Sequence, residues 1–162
     1  MDNIYEYIVS SKLLLNKNLF NAAFCLVCCA IDACAYHEFI HEPSISNRLR
    51  WTKWIGENIN TITKFGLPAT FGKNCKFKMG KIEDLKVDKE GFCTLEDFLY
   101  YAFRCSFVHE AKAINAVKFT SSNLFAYNKN EIIIPFNIII GLIKSVEEYL
   151  DKNGYQKNAD TQ

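Results

Sequence analysis

The chain has 162 residues, is 49% apolar and carries a formal net charge of +1. That length fits one domain with a proper core, and that apolar fraction excludes an intrinsically disordered chain. The charge points neither toward nor away from nucleic acid as a total, but it is unevenly spread: −3 over residues 1–47, +7 over 48–81 and −3 over 82–162.

Ile4, Tyr7, Ile8 and Leu15 recur at helical spacing and predict a first helix over residues 3–15. Its start, MDNIYE, is acidic and lacks the hydrophobic region of a signal peptide. Asn16-Lys17-Asn18 breaks the helix, and Asn18 is a candidate cap for the next. The second helix runs from Leu19 to about Phe39 and is apolar on nearly every side, the pattern of a central bundle helix. Its most apolar run, Ala22 to Ile31, is too short to cross a bilayer and is closed by Asp32. Four of the seven cysteines fall within ten residues of this helix, where neighbouring side chains aim along one face rather than at each other. Reduced thiols and a cytoplasmic protein are expected.

Pro43 ends the second helix, with Ser44 and Ser46 available as caps. Arg48 to Ile62 is a third, amphipathic helix holding both tryptophans. Residues 63–93 read as irregular, punctuated by Gly66, Pro68, Gly72, Gly80 and Gly91; a loop of that length is usually functional or mobile. Thr94 caps a fourth helix with Glu96 and Asp97 in its first turn, and this helix continues through Phe98, Tyr101 and Ala102 past His109. Alternation from Ala116 to Thr120, two turn clusters and the strand-like Glu131–Ile134 predict a small β-hairpin. Asn137 is a candidate cap for a last amphipathic helix through Lys152, with Ile140, Ile143, Val146 and Leu150 on one side, stopped by Asn153-Gly154. The fold class is therefore mainly α, a bundle of about five helices with a small β-hairpin before the last one. One domain covers 1–155, and 156–162 is a flexible tail.

The chemistry-bearing stretch is FRCSFVHEA, residues 103–111, which spends one of three arginines and one of three histidines on an apolar helix. An arginine keeps its charge, so Arg104 must reach solvent, a carboxylate or an anion. A histidine titrates near neutrality and moves protons. Together they form a minimal kit for phosphodiester cleavage, in which the guanidinium stabilises charge on phosphorus and the imidazole handles the proton. RNA supplies its own nucleophile, the 2′-hydroxyl, so neither metal nor cofactor is required. Five residues of straight helix turn by about 140° and rise about 7.5 Å, so the two groups converge only if the helix is distorted near Ser106 or a two-fold partner completes the site.

Arg104-Cys-Ser-Phe-Val-His109 resembles the R-x4–6-H signature of HEPN domains, an all-helical nucleotide- and RNA-binding fold. The segment NLFNAAFCLVCCAIDACA, residues 18–35, is similar to the second helix of such domains, and the His-Glu-Ala ending at Glu110 also fits. The resemblance implies a homodimer and metal-independent cleavage of single-stranded RNA, in toxin–antitoxin or antiphage systems with a cognate antitoxin or other protein partner. It implies Arg104 and His109 as the catalytic pair; Asp32, Ser106 and Glu110 are the supporting residues expected around them. It also implies an alternative, because some members of the fold bind RNA or proteins and cleave nothing.

Asp32 interrupts an apolar face and invites a cation; Arg104 is the expected partner, either to fix helix register or to be oriented toward a phosphate. Cys25, Cys28 and Cys29, and separately Cys34, His37 and His41, share helical faces, but no compact four-ligand set is visible and no metal site is expected. The block 48–81 interleaves Arg48, Arg50, Lys53, Lys73, Lys76 and Lys78 with aromatic residues, the pattern of a basic groove with stacking platforms for RNA. Trp51 and Trp54, three apart on one amphipathic helix, read as core, and the loop lysines as a possible flap over the site.

Overall fold

A computed structural model describes residues 2–67, 75–78, 87–101, 117–122, 125–127 and 132–155. The chain is mainly helical. Among the described residues the helices are α1 (Asp2–Asn16), α2 (Phe20–Glu38), α3 (Asn47–Gly66), α4 (Leu95–Leu99) and α5 (Asn137–Lys152). Two small sheets join them: β1 (Lys76–Lys78) with β2 (Phe92–Thr94), and β3 (Val117–Thr120), β4 (Ala126–Tyr127) and β5 (Ile132–Pro135).

The central helix is α2, which packs on α1, α3 and α5. Its length and apolar composition alone would suit a membrane span. Its side chains have another use: Ala23, Phe24, Val27, Cys28, Ala30, Ile31, Cys34 and Ala35 are all buried in the bundle. Ser11 of α1 donates a 2.7 Å hydrogen bond to the Ala23 carbonyl, tying the first helix to the second through an otherwise apolar contact. Trp51 and Trp54 are both 0% exposed, as their three-residue spacing predicts. Each ring meets a tyrosine edge-on, Trp51 against Tyr100 and Trp54 against Tyr149.

Where α3 crosses α5, Gly66 meets Gly141 and the two backbones come into direct contact. At the far end of α5, Gly154 takes φ +72°. Its N–H donates to Asp151 and that of Tyr155 to Leu150, which closes the helix with the paired bonds of a glycine cap, as the Asn-Gly signal predicts.

Two expected caps are corrected. Asn18 adopts a left-handed φ of 58° rather than capping, and the residue preceding α2 is Leu19, without a side-chain hydrogen bond. Asn137 is the first residue of α5, and Phe136 precedes it, also without a side-chain cap. By contrast Ser46 accepts from the Leu49 N–H and Thr94 from the Asp97 N–H, as expected.

The stretch 63–93 holds more order than its composition suggests. Helix α3 runs on to Gly66, and β1 pairs antiparallel with β2, Phe77 facing Cys93. Asp88 builds the turn into β2, accepting from the Glu90 and Phe92 N–H groups at 3.0 and 2.9 Å. The expected hairpin is present in altered form. Strand β4 pairs antiparallel with β5, while β3 lies on the other edge of β5 and runs parallel to it. A run of isoleucines at β5, with Ile132 and Ile134 buried, suits the central position of a sheet better than an edge. The continuation of α4 past Tyr101 and the tail from 156 lie outside the described residues.

Candidate functional site

The connector from α2 to α3 turns tightly. Glu42 donates from its N–H to Phe39 and Ile45 to Glu42, Pro43 bars further helix, and Ser46 starts α3. The last turns of α2 therefore face the first turns of α3. Between them lies a cleft of about 190 Å³ lined by Asp32, Ala35, Tyr36, Asn47 and Arg50. Two residues singled out in the sequence, Asp32 and Arg50, meet in this one cleft. Tyr36 and Asn47, the other polar members, were not among the expected site residues. Tyr36 sits one turn after Asp32 and Asn47 directly after the cap, the only signals that could have found them.

Arg50 is positioned by its surroundings. Its guanidinium carbon lies 5.5 Å from the centroid of the Tyr36 ring, and Nη2 donates to the Glu42 carbonyl at 3.4 Å. Its Nε is buried and has no hydrogen-bond partner among the described residues. Tyr36 is 52% exposed, so its ring is available to solvent.

A broader groove of about 510 Å³ opens beside the start of α3 and includes Ser46, Arg48, Thr52, Lys53, Thr94, Glu96 and Asp97. Arg48 donates from Nη2 to Asp97 Oδ1 at 2.7 Å, and its guanidinium carbon stands 5.1 Å from the centroid of Tyr101. The Asp97 hydrogen bond raises the Arg48 pKa above its ordinary value. Lys53 pairs with Glu42 at 3.0 Å and sits 4.1 Å above the Phe39 ring.

Lys76 and Lys78 stand on a different element, exposed on β1 to either side of Phe77. Lys76 pairs with Asp88 at 3.2 Å, and Lys78 lies 5.9 Å from the Phe92 ring centroid. Asp88 is held below the usual carboxylate range by the Phe92 N–H, with further bonds from Lys76 and the Glu90 N–H. Of the interleaved aromatics, Trp51 and Trp54 are core and Phe77 stacks on Phe125 at 5.0 Å, while Phe65 is exposed with Lys64 over its ring at 5.1 Å. Near the start of α3, exposed aromatic surface comes from Tyr36 of α2.

Arg104, His109, Ser106, Glu110 and Lys73 lie outside the described residues, as does the partner expected for Asp32. Among the described residues no group of three His, Cys, Asp or Glu side chains is arranged around a metal position. None of the six described cysteines is in a disulfide, and burial pushes the thiols of Cys34 and Cys93 up to about 12. Those two are neutral packing groups, not nucleophiles.

Fold and site together define a mainly α-helical bundle domain with two small sheets, bearing a charged and aromatic cleft at its second and third helices. The family model described as Rv1289 matches residues 3–159, and the chain belongs to that family. No curated protein and no solved structure matches it.

Proposed function

We propose that this chain is a HEPN-like RNA-binding protein and a metal-independent endoribonuclease, acting as a cytoplasmic homodimer on single-stranded RNA in a toxin–antitoxin or antiphage setting. In this reading His109 takes the 2′-hydroxyl proton as that oxygen attacks phosphorus. The P–O5′ bond breaks, and the 5′-oxygen leaves with a proton from the imidazolium of the second copy. Arg104 stabilises the charge that builds on the non-bridging oxygens. The products are a 2′,3′-cyclic phosphate and a 5′-hydroxyl.

The observation that carries the reading is the placement of Arg48. It lies over Tyr101 and bonds Asp97, so the basic block flanks α4 three residues before Arg104 in the chain. Three residues of extended backbone span at most about 11 Å. A phosphate near the start of the motif would therefore fall within the field of the α3 cations.

The test is incubation of purified protein with labelled single-stranded RNA and EDTA, beside Arg104→Ala and His109→Ala. Metal-free cleavage that is lost in both variants supports the enzyme. Intact RNA, with a folded dimer, refutes cleavage and leaves the second reading, a non-catalytic interaction module. One observation favours that second reading: Arg48, Lys53 and Lys76 already hold carboxylates of their own chain.

A further inference from the structure

We infer that the cleft between α2 and α3 is a guanine-selective subsite for one unstacked base of single-stranded RNA; this deepens, and rests on, the RNA-binding reading above. The volume sets the scale. At about 190 Å³ the cleft is smaller than the roughly 300–1,000 Å³ of pockets that enclose drug-sized ligands. It suits one flat heterocycle, with the sugar and phosphate left outside.

The lining sets the chemistry. Single-stranded RNA is read by stacking a splayed base on an aromatic ring or a guanidinium plane and bonding its Watson–Crick edge. Tyr36 and Arg50 supply both kinds of surface in one stack, the guanidinium lying over the ring with the outer faces left for a base, and Arg50 is held there by the Glu42 carbonyl. Asp32 and Asn47 supply the edge-reading groups.

Their combination selects among bases. Guanine alone presents two adjacent N–H donors, N1–H and N2–H₂, next to a carbonyl, O6. A carboxylate accepts from both donors, and an amide N–H₂ donates to the carbonyl. Adenine and cytosine would set a ring-nitrogen acceptor against the Asp32 carboxylate. Uracil would offer a single donor between two carbonyls. Each loses a bond and gains a repulsion. An aspartate has about four acceptor sites, so Asp32 can hold a structural partner and a base edge together.

The test uses the full chain and 2′-O-methylated oligouridylate, which lacks the attacking hydroxyl and stays intact. Binding by fluorescence anisotropy is compared with oligonucleotides in which one central uridine is replaced by guanosine, adenosine or cytidine. Guanosine alone is expected to raise affinity about tenfold, the scale of a good bidentate base contact. Asn47→Ala and Tyr36→Ala, both at exposed positions, and Asp32→Asn are expected to return the guanosine oligonucleotide to the oligouridylate level. If oligouridylate binds and guanosine adds nothing, or adenosine adds as much, the subsite is overturned while RNA binding stands. If no oligonucleotide binds, the RNA-binding reading falls and takes this one with it.

Discussion

Replacing Gly141 by alanine tests the closest contact in the bundle. A Cβ built there would meet the carbonyl oxygen of Ile62 and lie 3.1 Å from both N and Cα of Gly66. The overlap with the carbonyl is about 1 Å, judged against the roughly 3.3 Å at which carbon and carbonyl oxygen ordinarily meet. Every obstacle is backbone, so no rotamer change relieves it, and α3 must move away from α5. Overpacking of this kind costs about 3 kcal/mol, the upper end of its usual range. Alanine returns about 1 kcal/mol through its better helix propensity. The net loss is about 2 kcal/mol, which for a chain of this size lowers Tm by roughly 4–8 °C.

The same substitution at Gly56 is the internal control. There the nearest atom is the flexible Glu96 Oε1 at 3.4 Å. Gly56→Ala should stabilise by about 0.5–1 kcal/mol, because only the propensity gain remains. Thermal and urea unfolding followed by circular dichroism read both variants. A Gly141→Ala protein that melts at or above the parent temperature would falsify the described α3–α5 crossing.

Ser46→Ala removes the side-chain acceptor for the Leu49 N–H at the start of α3, bonded at 3.2 Å, and should cost about 1 kcal/mol by urea unfolding; Ser44→Ala, with no such bond among the described residues, serves as the comparison. Glu147 gives a pH-dependent prediction. Burial alone would raise its carboxyl, but hydrogen bonds from Lys12 and Lys144 and their charges outweigh this and hold it below its ordinary 4.5. A depressed carboxylate stabilises the fold above its unfolded value and loses that contribution as pH falls through the lower folded value. The Tm gap between the parent and Glu147→Gln should therefore be widest near neutrality and close below pH 4.5, and a gap that widens in acid would contradict the assigned pairing.

The helices were legible because their signals are local. Apolar spacing placed α1, α2, α3 and α5, and Thr94 with its acidic first turn placed α4. Capping was legible where a serine or threonine stood before a helix and misleading where asparagine did. Asn18 satisfies the chain by taking a left-handed conformation, which its short polar side chain tolerates. Strand pairing was not legible. A three-residue strand such as Lys76–Lys78 carries no periodicity, and its existence depends on Phe77 finding Phe98 and Phe125 across the fold.

The site divides in the same way. The sequence determined which residue types were costly to bury, and so singled out Asp32 and the arginines. It also determined that charge would concentrate in 48–81. Only the tertiary structure decided which of those charges face one another. Arg48 is matched to Asp97 across 49 residues of chain, and Asp32 shares a cleft with Arg50, Tyr36 and Asn47. Helical periodicity assigns a residue to a face; the angle and offset at which two helices meet assign that face a neighbour, and those follow from packing the whole core at once.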